Sequence, residues 1–148
     1  MDQKVVIPNA AEARAWVQSR LQRLRPGDLV LLEGELGAGK TQITRWVLES
    51  LGIADVASPT FAIHHEYQAA FPVHHFDLYR LQNDADLESC GLLEALQDME
   101  SLIFVEWADR LEFDFWPSTR HRIRLRIEKP VAGRDSSEES RIISFEEI

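Results

Sequence analysis

A glycine-rich stretch from Gly34 to Thr41 fits the G-x-x-x-x-G-K-[ST] phosphate-binding pattern. In such a loop, successive backbone N–H groups point inward and hold phosphate oxygens, helped by the positive end of the following helix. The Lys40 ammonium would neutralise the β- and γ-phosphates of a nucleotide, and the Thr41 hydroxyl would be a ligand for Mg²⁺. The pattern therefore predicts a nucleotide-binding site rather than an ordinary glycine turn.

Two acidic residues at the ends of predicted strands could complete this site. Asp77 lies near the end of the strand-like run 73–78, and Glu106 directly follows the apolar run 102–105. An apolar strand followed by an acid is the Walker B arrangement, in which a carboxylate beside the phosphate loop holds Mg²⁺ directly or through water. An exposed or capping aspartate is the alternative interpretation of Asp77. Trp107, next to Glu106, either packs over the site or is a buried residue at the strand end.

The elements that would position these residues are strands alternating with helices. The run 29–32 is continuously apolar, which is typical of a strand buried on both faces of a parallel sheet. Residues 42–51 can form a helix directly after the loop. Further predicted strands cover residues 4–8, 61–67, 73–78, 102–105, 120–127 and 141–145, and predicted helices cover residues 10–24, capped by Asn9, and two short segments within 84–96 separated at Gly91. The phosphate-binding pattern thus has the strand, loop and helix that it requires.

Length and charge limit the possible functions. A chain of 148 residues suits one domain, spanning residues 1–148. The net charge of −9 should repel polyanions, so binding of free DNA or RNA by the chain alone is not expected. The single Cys90 excludes an internal disulfide and permits a reducing compartment. Since there is no secretory leader and no apolar run of membrane-spanning length, we expect a soluble cytoplasmic protein without membrane contact.

Two other sequence patterns could indicate binding sites. Arginine occupies every second position from 120 to 126, which predicts a strand with one solvated face, and RNA binding is the less favoured interpretation. Histidine pairs at 64–65 and 74–75 could suggest a zinc site. Because adjacent strand residues point to opposite faces, only one histidine of each pair could share such a site. Hydrogen-bonded or exposed histidines are therefore the favoured expectation.

Motifs that the sequence lacks exclude some classes of phosphate-loop protein. An N-K-x-D base-reading motif and a D-x-x-G switch, typical of GTPases, do not occur, and neither does the L-S-G-G-Q-like signature of transporter ATPases. A small-molecule kinase would need a lid and an acceptor pocket, for which residues 82–98 are the available segment. A minimal ATPase is favoured, with a small phosphotransferase or a non-hydrolysing nucleotide-dependent adaptor as alternatives.

Four motifs in order resemble one family closely. They are GELGAGKT at residues 34–41, SPTF at 58–61, HFDLYRL at 75–81 and the Glu106-Trp107 pair, spanning about two thirds of the chain. Together they resemble the TsaE (YjeE-like) ATPases of bacterial tRNA threonylcarbamoyladenosine biosynthesis. The resemblance implies a three-layer α/β, P-loop NTPase-like fold with a mainly parallel central sheet and antiparallel C-terminal strands. It also implies ATP with Mg²⁺ as ligands and action with TsaD and TsaB, which together place a threonylcarbamoyl group on adenosine 37 of tRNAs reading ANN codons.

The resemblance also assigns roles to individual positions. Lys40, Asp77 and Glu106 match the residues that act in hydrolysis, with Thr41 and Glu106 as Mg²⁺ ligands. The nucleotide-binding positions match Glu35, Leu36, Gly37, Ala38, Gly39, Lys40 and Thr41, with Pro8, Asn9, Ala10 and Arg141 on the adenine side. Thr60, Tyr79, Arg80 and Trp107 are candidates for switch or partner contacts. With no arginine finger evident, turnover by the chain alone is expected to be slow, and tRNA is expected to be met only through the complex. The C-terminal contacts follow a loop, 130–140, that is longer than is usual in the family.

Overall fold

The computed structural model describes residues 2–53, 63–130 and 139–148. Within these residues, the strands are β1 (Asp2–Ile7), β2 (Asp28–Gly34), β3 (His64–Gln68), β4 (Pro72–Asp77), β5 (Leu102–Glu106), β6 (His121–Glu128) and β7 (Arg141–Glu147). The helices are α1 (Ala10–Arg20), α2 (Lys40–Ser50), α3 (Asp84–Ser89) and α4 (Leu92–Gln97), with short 3₁₀ turns at Ala108–Arg110 and Phe113–Phe115. In this part of the chain no helix is both long and apolar enough to cross a membrane.

All the strands belong to one mixed sheet, in the order β1-β7-β6-β2-β5-β4-β3. The four central strands, β6, β2, β5 and β4, are parallel to one another. The edges are antiparallel, because β3 pairs with β4, β7 pairs with β6 and β1 pairs with β7. The predicted α/β architecture is confirmed, with a parallel centre and antiparallel C-terminal strands, and β1 and β3 extend the antiparallel edges.

Helices cover both faces of the central strands and make three layers. Val30 and Leu32 of β2 pack on the face covered by α1 and α2, together with Val17 and Val47. Alternate residues of the same strand, such as Leu31, pack on the other face with α4 and the 3₁₀ turns. Burial on both faces explains why the run 29–32 is continuously apolar.

Parallel pairing brings the chemistry-bearing ends of three strands to one edge of the sheet. Leu32 of β2 is opposite Glu106 of β5, and Glu106 is in turn opposite Asp77 of β4. The loop after β2 therefore lies beside both acids. This edge is where ligands bind in open α/β sheets.

The helix boundaries agree with the sequence signals at the N-terminal ends. Asn9 caps α1 by accepting a hydrogen bond from the Glu12 amide at 2.9 Å, and Gly91 separates α3 from α4 with a φ of 88°. The first helix is shorter than predicted, because it ends at Arg20 rather than at residue 24. Leu21 and Leu24 are buried in the turn that follows. Their helix-like spacing in the sequence therefore comes from contacts with the core and not from a longer helix.

The predicted solvated arginine face is wrong at its first position, which directly precedes β6. Arg120 is 2% exposed and donates to backbone carbonyls of the α4 end and of two strand starts. Arg124 is half-buried and donates to the buried Glu33 at 2.7 Å, while Arg126 is exposed. The Glu33 carboxylate raises the pKa of Arg124, mainly through this hydrogen bond. Arg120 and Arg124 therefore make contacts within the protein, whereas Arg126 faces solvent.

Candidate nucleotide-binding site

The loop that connects β2 to α2 requires glycine at its two ends. A Cβ on Gly34 would lie 2.5 Å from the Ile127 carbonyl oxygen of the neighbouring strand, so the backbones approach too closely for any side chain. Gly39 precedes the first residue of α2 with a φ of 115°, a conformation that other residues rarely adopt. The sequence thus holds the loop close against β6 and points the α2 N-terminus towards it.

Lys40 is the first residue of α2 and is nearly buried, at 4% exposure. Its ammonium donates to the carbonyls of Gly34 at 2.5 Å and Glu35 at 2.8 Å, and lies 4.0 Å from the centre of the Trp107 ring. Burial lowers the pKa of Lys40, and the nearby carboxylates, Glu106 first, oppose that shift. The loop therefore carries a desolvated positive charge at the position predicted from the motif.

Thr41 and Glu106 place two oxygens side by side. The Thr41 hydroxyl donates to Oε1 of Glu106 at 2.6 Å, and Oε2 of the same carboxylate is hydrogen-bonded to Nε2 of His75. Mg²⁺ prefers a few hard oxygen ligands from the protein and keeps several waters. The hydroxyl and the carboxylate fit that requirement and are the residues that could hold the ion.

Asp77 faces the same space from the end of β4. Its Oδ1 accepts a hydrogen bond from the Tyr79 amide at 3.0 Å. Burial raises the pKa of the Asp77 carboxyl, the Tyr79 hydrogen bond lowers it, and the neighbouring Glu106 charge raises it again. A carboxyl that binds protons more readily than usual is suited to accept one from water.

A cavity of about 340 Å³ lies over these groups. It is lined by Leu36, Gly37, Gly39, Lys40, Thr41, Gln42, Arg45, Asp77, Tyr79, Glu106 and Trp107. The structure thus brings together most of the predicted loop, both acids and two of the predicted switch or partner residues. Trp107 packs over the site, with its ring against the Lys40 ammonium.

The predicted adenine-side residues lie beside the loop and do not line this cavity. Arg141 donates from Nε to the carbonyl of Ala38 at 2.8 Å, which ties the start of β7 to the loop. Ser140 donates to the Pro8 carbonyl at 3.2 Å, and Ile7 pairs with Arg141. Residues 8–10 therefore adjoin Arg141 on one flank of the loop, with Asn9 serving as the α1 cap.

The geometry of the cavity does not test three of the predictions. Thr60 and the rest of the SPTF motif lie outside the described residues, as does most of the loop 130–140. Arg80 is exposed in the turn after β4, beside Tyr79, and does not line the cavity. Their predicted roles remain predictions.

Sequence reasoning missed three side chains that the fold brings to the site. Gln42, which directly follows Thr41, lines the cavity. Arg45 lies four residues after Thr41, one helical turn along the same face of α2. His75 lies two residues before Asp77, so both point to the same face of β4. That alternation was available in the sequence, but the partner of His75 on β5 required the register of the sheet.

The remaining histidines do not form a metal cluster. His64 and His74 are hydrogen-bonded to each other at 2.8 Å, and burial lowers the pKa of His64. No group of three or more His, Cys, Asp or Glu side chains that could hold a metal ion occurs within residues 2–53, 63–130 and 139–148.

Comparison with known proteins identifies the family. The family model that matches residues 7–136 is described as "Threonylcarbamoyl adenosine biosynthesis protein TsaE". A Streptomyces coelicolor protein named tRNA threonylcarbamoyladenosine biosynthesis protein TsaE is 42% identical over 126 residues, which are 82% of this chain and 80% of the relative. The protein of the same name from Bacillus subtilis is 36% identical over 132 residues, or 88% and 78% of the two chains.

A solved structure agrees with these sequence matches. The crystal structure of YdiB from Bacillus subtilis superposes with a TM-score of 0.74 at 32% identity, and the match covers 98% of this chain and 84% of that one. The family model spans most of the chain, and the four motifs occur in one order. The chain therefore belongs to the TsaE family of threonylcarbamoyl adenosine biosynthesis proteins, as the motif resemblance predicted.

Proposed function

We propose that this chain binds ATP with Mg²⁺ and hydrolyses it slowly, in support of threonylcarbamoyladenosine formation at position 37 of tRNAs reading ANN codons. The observation that carries the proposal is the convergence of Lys40, the Thr41–Glu106 pair and Asp77 on one cavity at the loop after β2. The names of the relatives from Streptomyces coelicolor and Bacillus subtilis support the pathway.

The loop binds the phosphates of ATP in this proposal. The α2 N-terminus and the loop amides hold phosphate oxygens, and the Lys40 ammonium neutralises charge on the β- and γ-phosphates. Because Lys40 is nearly buried, its charge acts with little screening by water. The lining of the cavity by Gly37 and Gly39 leaves the backbone accessible to a phosphate.

Thr41 and Glu106 hold Mg²⁺ through the hydroxyl and carboxylate oxygens that already face each other. An ion held by these two residues would supply positive charge against the negative charge that develops during phosphoryl transfer. Asp77, opposite Glu106 in the sheet, orients the attacking water or accepts its proton.

Turnover by the chain alone should be slow if a partner supplies further positive charge to the cavity. Among the described residues, the cationic side chains that line the cavity are Lys40 and Arg45. An arginine finger supplied by a partner is worth on the order of 10³ to 10⁵ in rate, so an incomplete site would leave turnover low. We therefore propose that TsaD and TsaB complete the site or release its product. With a net charge of −9, the chain meets tRNA through that complex.

Separate measurements of binding and hydrolysis test the proposal. The Lys40→Ala variant should lose ATP binding in a calorimetric titration, because the buried ammonium at the loop is gone. The Asp77→Asn variant should bind ATP within about 3-fold of the unmodified chain and yet lose on the order of 10²-fold or more in turnover, as expected of a general base.

A variant of the exposed Arg126, Arg126→Met, serves as the control and should leave both quantities unchanged. Unchanged ATP binding by Lys40→Ala would contradict the site. Hydrolysis that Asp77→Asn retains in full would contradict the role of Asp77 alone.

A further inference from the structure

His75 occupies a position that the loop and the two acids do not explain. It lies on β4, is 1% exposed, and its Nε2 is hydrogen-bonded to Oε2 of Glu106. The other oxygen of that carboxylate accepts from Thr41. Glu106 is therefore held between two donors, one on each oxygen.

The ring has one polar partner and one polar atom without a partner. Nδ1 of His75 is buried and has no hydrogen-bond partner among the described residues. An ionised carboxylate only accepts hydrogen bonds, so the ring nitrogen that faces Oε2 of Glu106 carries the proton. His75 therefore donates a hydrogen bond from Nε2 to Glu106.

Two donors on opposite oxygens fix the plane of a carboxylate. The last torsion of a glutamate side chain is broad, so one hydrogen bond alone leaves the group free to turn. With Oε2 held by His75, Oε1 stays 2.6 Å from the Thr41 hydroxyl. Outer partners of this kind commonly orient the residues that hold a metal, and their loss costs about 10–100-fold in metal affinity or activity.

We propose that His75 is a positioning residue for the Mg²⁺ site. It holds Glu106 so that Oε1 of the carboxylate and the neighbouring Thr41 hydroxyl could meet the ion together. This inference rests on the proposed function, because the ion arrives with the nucleotide. His75 does not line the cavity, so in this proposal it acts through Glu106. Parallel pairing places His75 two residue pairs behind the Asp77–Glu106 pair, on the same face of β4 as Asp77.

Binding of Mn²⁺ measured by electron paramagnetic resonance, with a non-hydrolysable ATP analogue present, tests the proposal. Three substitutions separate the hydrogen bond from the shape of the side chain: His75→Phe and His75→Met remove the donor, and His75→Gln keeps an N–H at a similar reach. We expect Mn²⁺ to bind about 10–100-fold more weakly to the Phe and Met variants, and within about 3-fold of the unmodified chain to the Gln variant. Affinity for the analogue in EDTA should change by less than about 2-fold in all three, because the loop itself is untouched.

Val73→Ala is the matched control, because Val73 is fully buried on the same face of β4 and makes no contact with Glu106 through a polar atom. It should lower thermal stability and leave Mn²⁺ affinity unchanged. Equal Mn²⁺ affinity in the unmodified chain and in whichever donor-free variant remains folded by circular dichroism would overturn the role of His75. A Gln variant as weak as the Met variant would also overturn it.

A different result in the same experiment would contradict the proposed function itself. If the unmodified chain did not bind the analogue, or bound it equally well with Mn²⁺ and with EDTA, the nucleotide site itself would be wrong. If the unmodified chain showed strong metal-dependent binding and the His75 variants did too, the nucleotide site would stand and the positioning role would not.

Discussion

Arg120→Met is expected to destabilise the whole domain, because Arg120 joins the base of the sheet to α4. Its Nη1 donates to the Ser101 carbonyl at 3.1 Å and to the Asp28 carbonyl at 3.3 Å, at the starts of β5 and β2. Its other nitrogens donate to the carbonyls of Leu96, Ala95 and Asp98 at 2.9, 3.0 and 2.5 Å, respectively. Burial lowers the pKa of the guanidinium, which remains protonated because the ordinary value is so high.

The size of the effect follows from which carbonyls lose their donor. The carbonyls of Asp28 and Ser101 belong to buried residues, and each would lose a hydrogen bond from a charged group, worth about 1.5–3 kcal/mol. The Ser101 carbonyl keeps a second donor, the Gly27 amide at 3.0 Å. The carbonyls near Asp98 can turn to water, since residues 97–100 are exposed. We therefore expect a loss of about 3–5 kcal/mol, a large part of the 5–15 kcal/mol typical of a domain. For this chain length, that corresponds to a fall in Tm of about 10 °C.

Urea denaturation monitored by circular dichroism measures this loss. Arg120→Lys keeps the charge with fewer donors, so it should lose about half as much. Arg126→Met is the control, in the strand that follows Arg120. Arg126 is 54% exposed beside a carboxylate oxygen of Glu33 at 3.7 Å, so its loss should cost less than about 1 kcal/mol. A free energy of unfolding for Arg120→Met within about 1 kcal/mol of the unmodified chain would contradict this prediction, since even one lost hydrogen bond from a charged group costs more.

Three further outcomes follow from the structure. Gly34→Ala should lower stability by about 2 kcal/mol and weaken ATP binding, because its Cβ would meet the Ile127 carbonyl oxygen at 2.5 Å; equal calorimetric affinity would count against this. Hydrolysis should fall as the pH drops, because protonation of the Asp77 carboxylate removes the base. Burial raises the pKa of Asp77, so the fall should be centred above the ordinary aspartate pKa. The same pH profile in the residual activity of Asp77→Asn would assign the titration to another group. Asn9→Ala should cost about 1 kcal/mol in denaturant unfolding by removing the cap on the Glu12 amide, and no loss would mean that water replaces that cap.

Patterns in consecutive residues predicted those parts of the fold and of the site that depend on neighbours in the sequence. The loop pattern ended at Thr41, and the apolar runs placed Asp77 and Glu106 at strand ends, because alternation and burial are visible in consecutive residues. Asn9 was predicted as a cap because a cap needs only its own helix.

What the sequence could not show depends on contacts between distant segments. The environment of Arg120 comes from α4, β2 and β5, none of which is adjacent in sequence, so a strand-like arginine stripe predicted exposure. The pairing of His75 with Glu106 likewise depends on the β4–β5 register, which periodicity does not specify.

The most direct test of the account is the ATP hydrolysis rate of the chain alone, of TsaD with TsaB, and of the three proteins together. We expect slow turnover by the chain alone and a rate on the order of 10²-fold or more higher with both partners, because in the proposed function a partner completes the charge around the cavity. Asp77→Asn should remove this stimulated activity. Fast turnover by the isolated chain, or no stimulation by TsaD and TsaB, would contradict it.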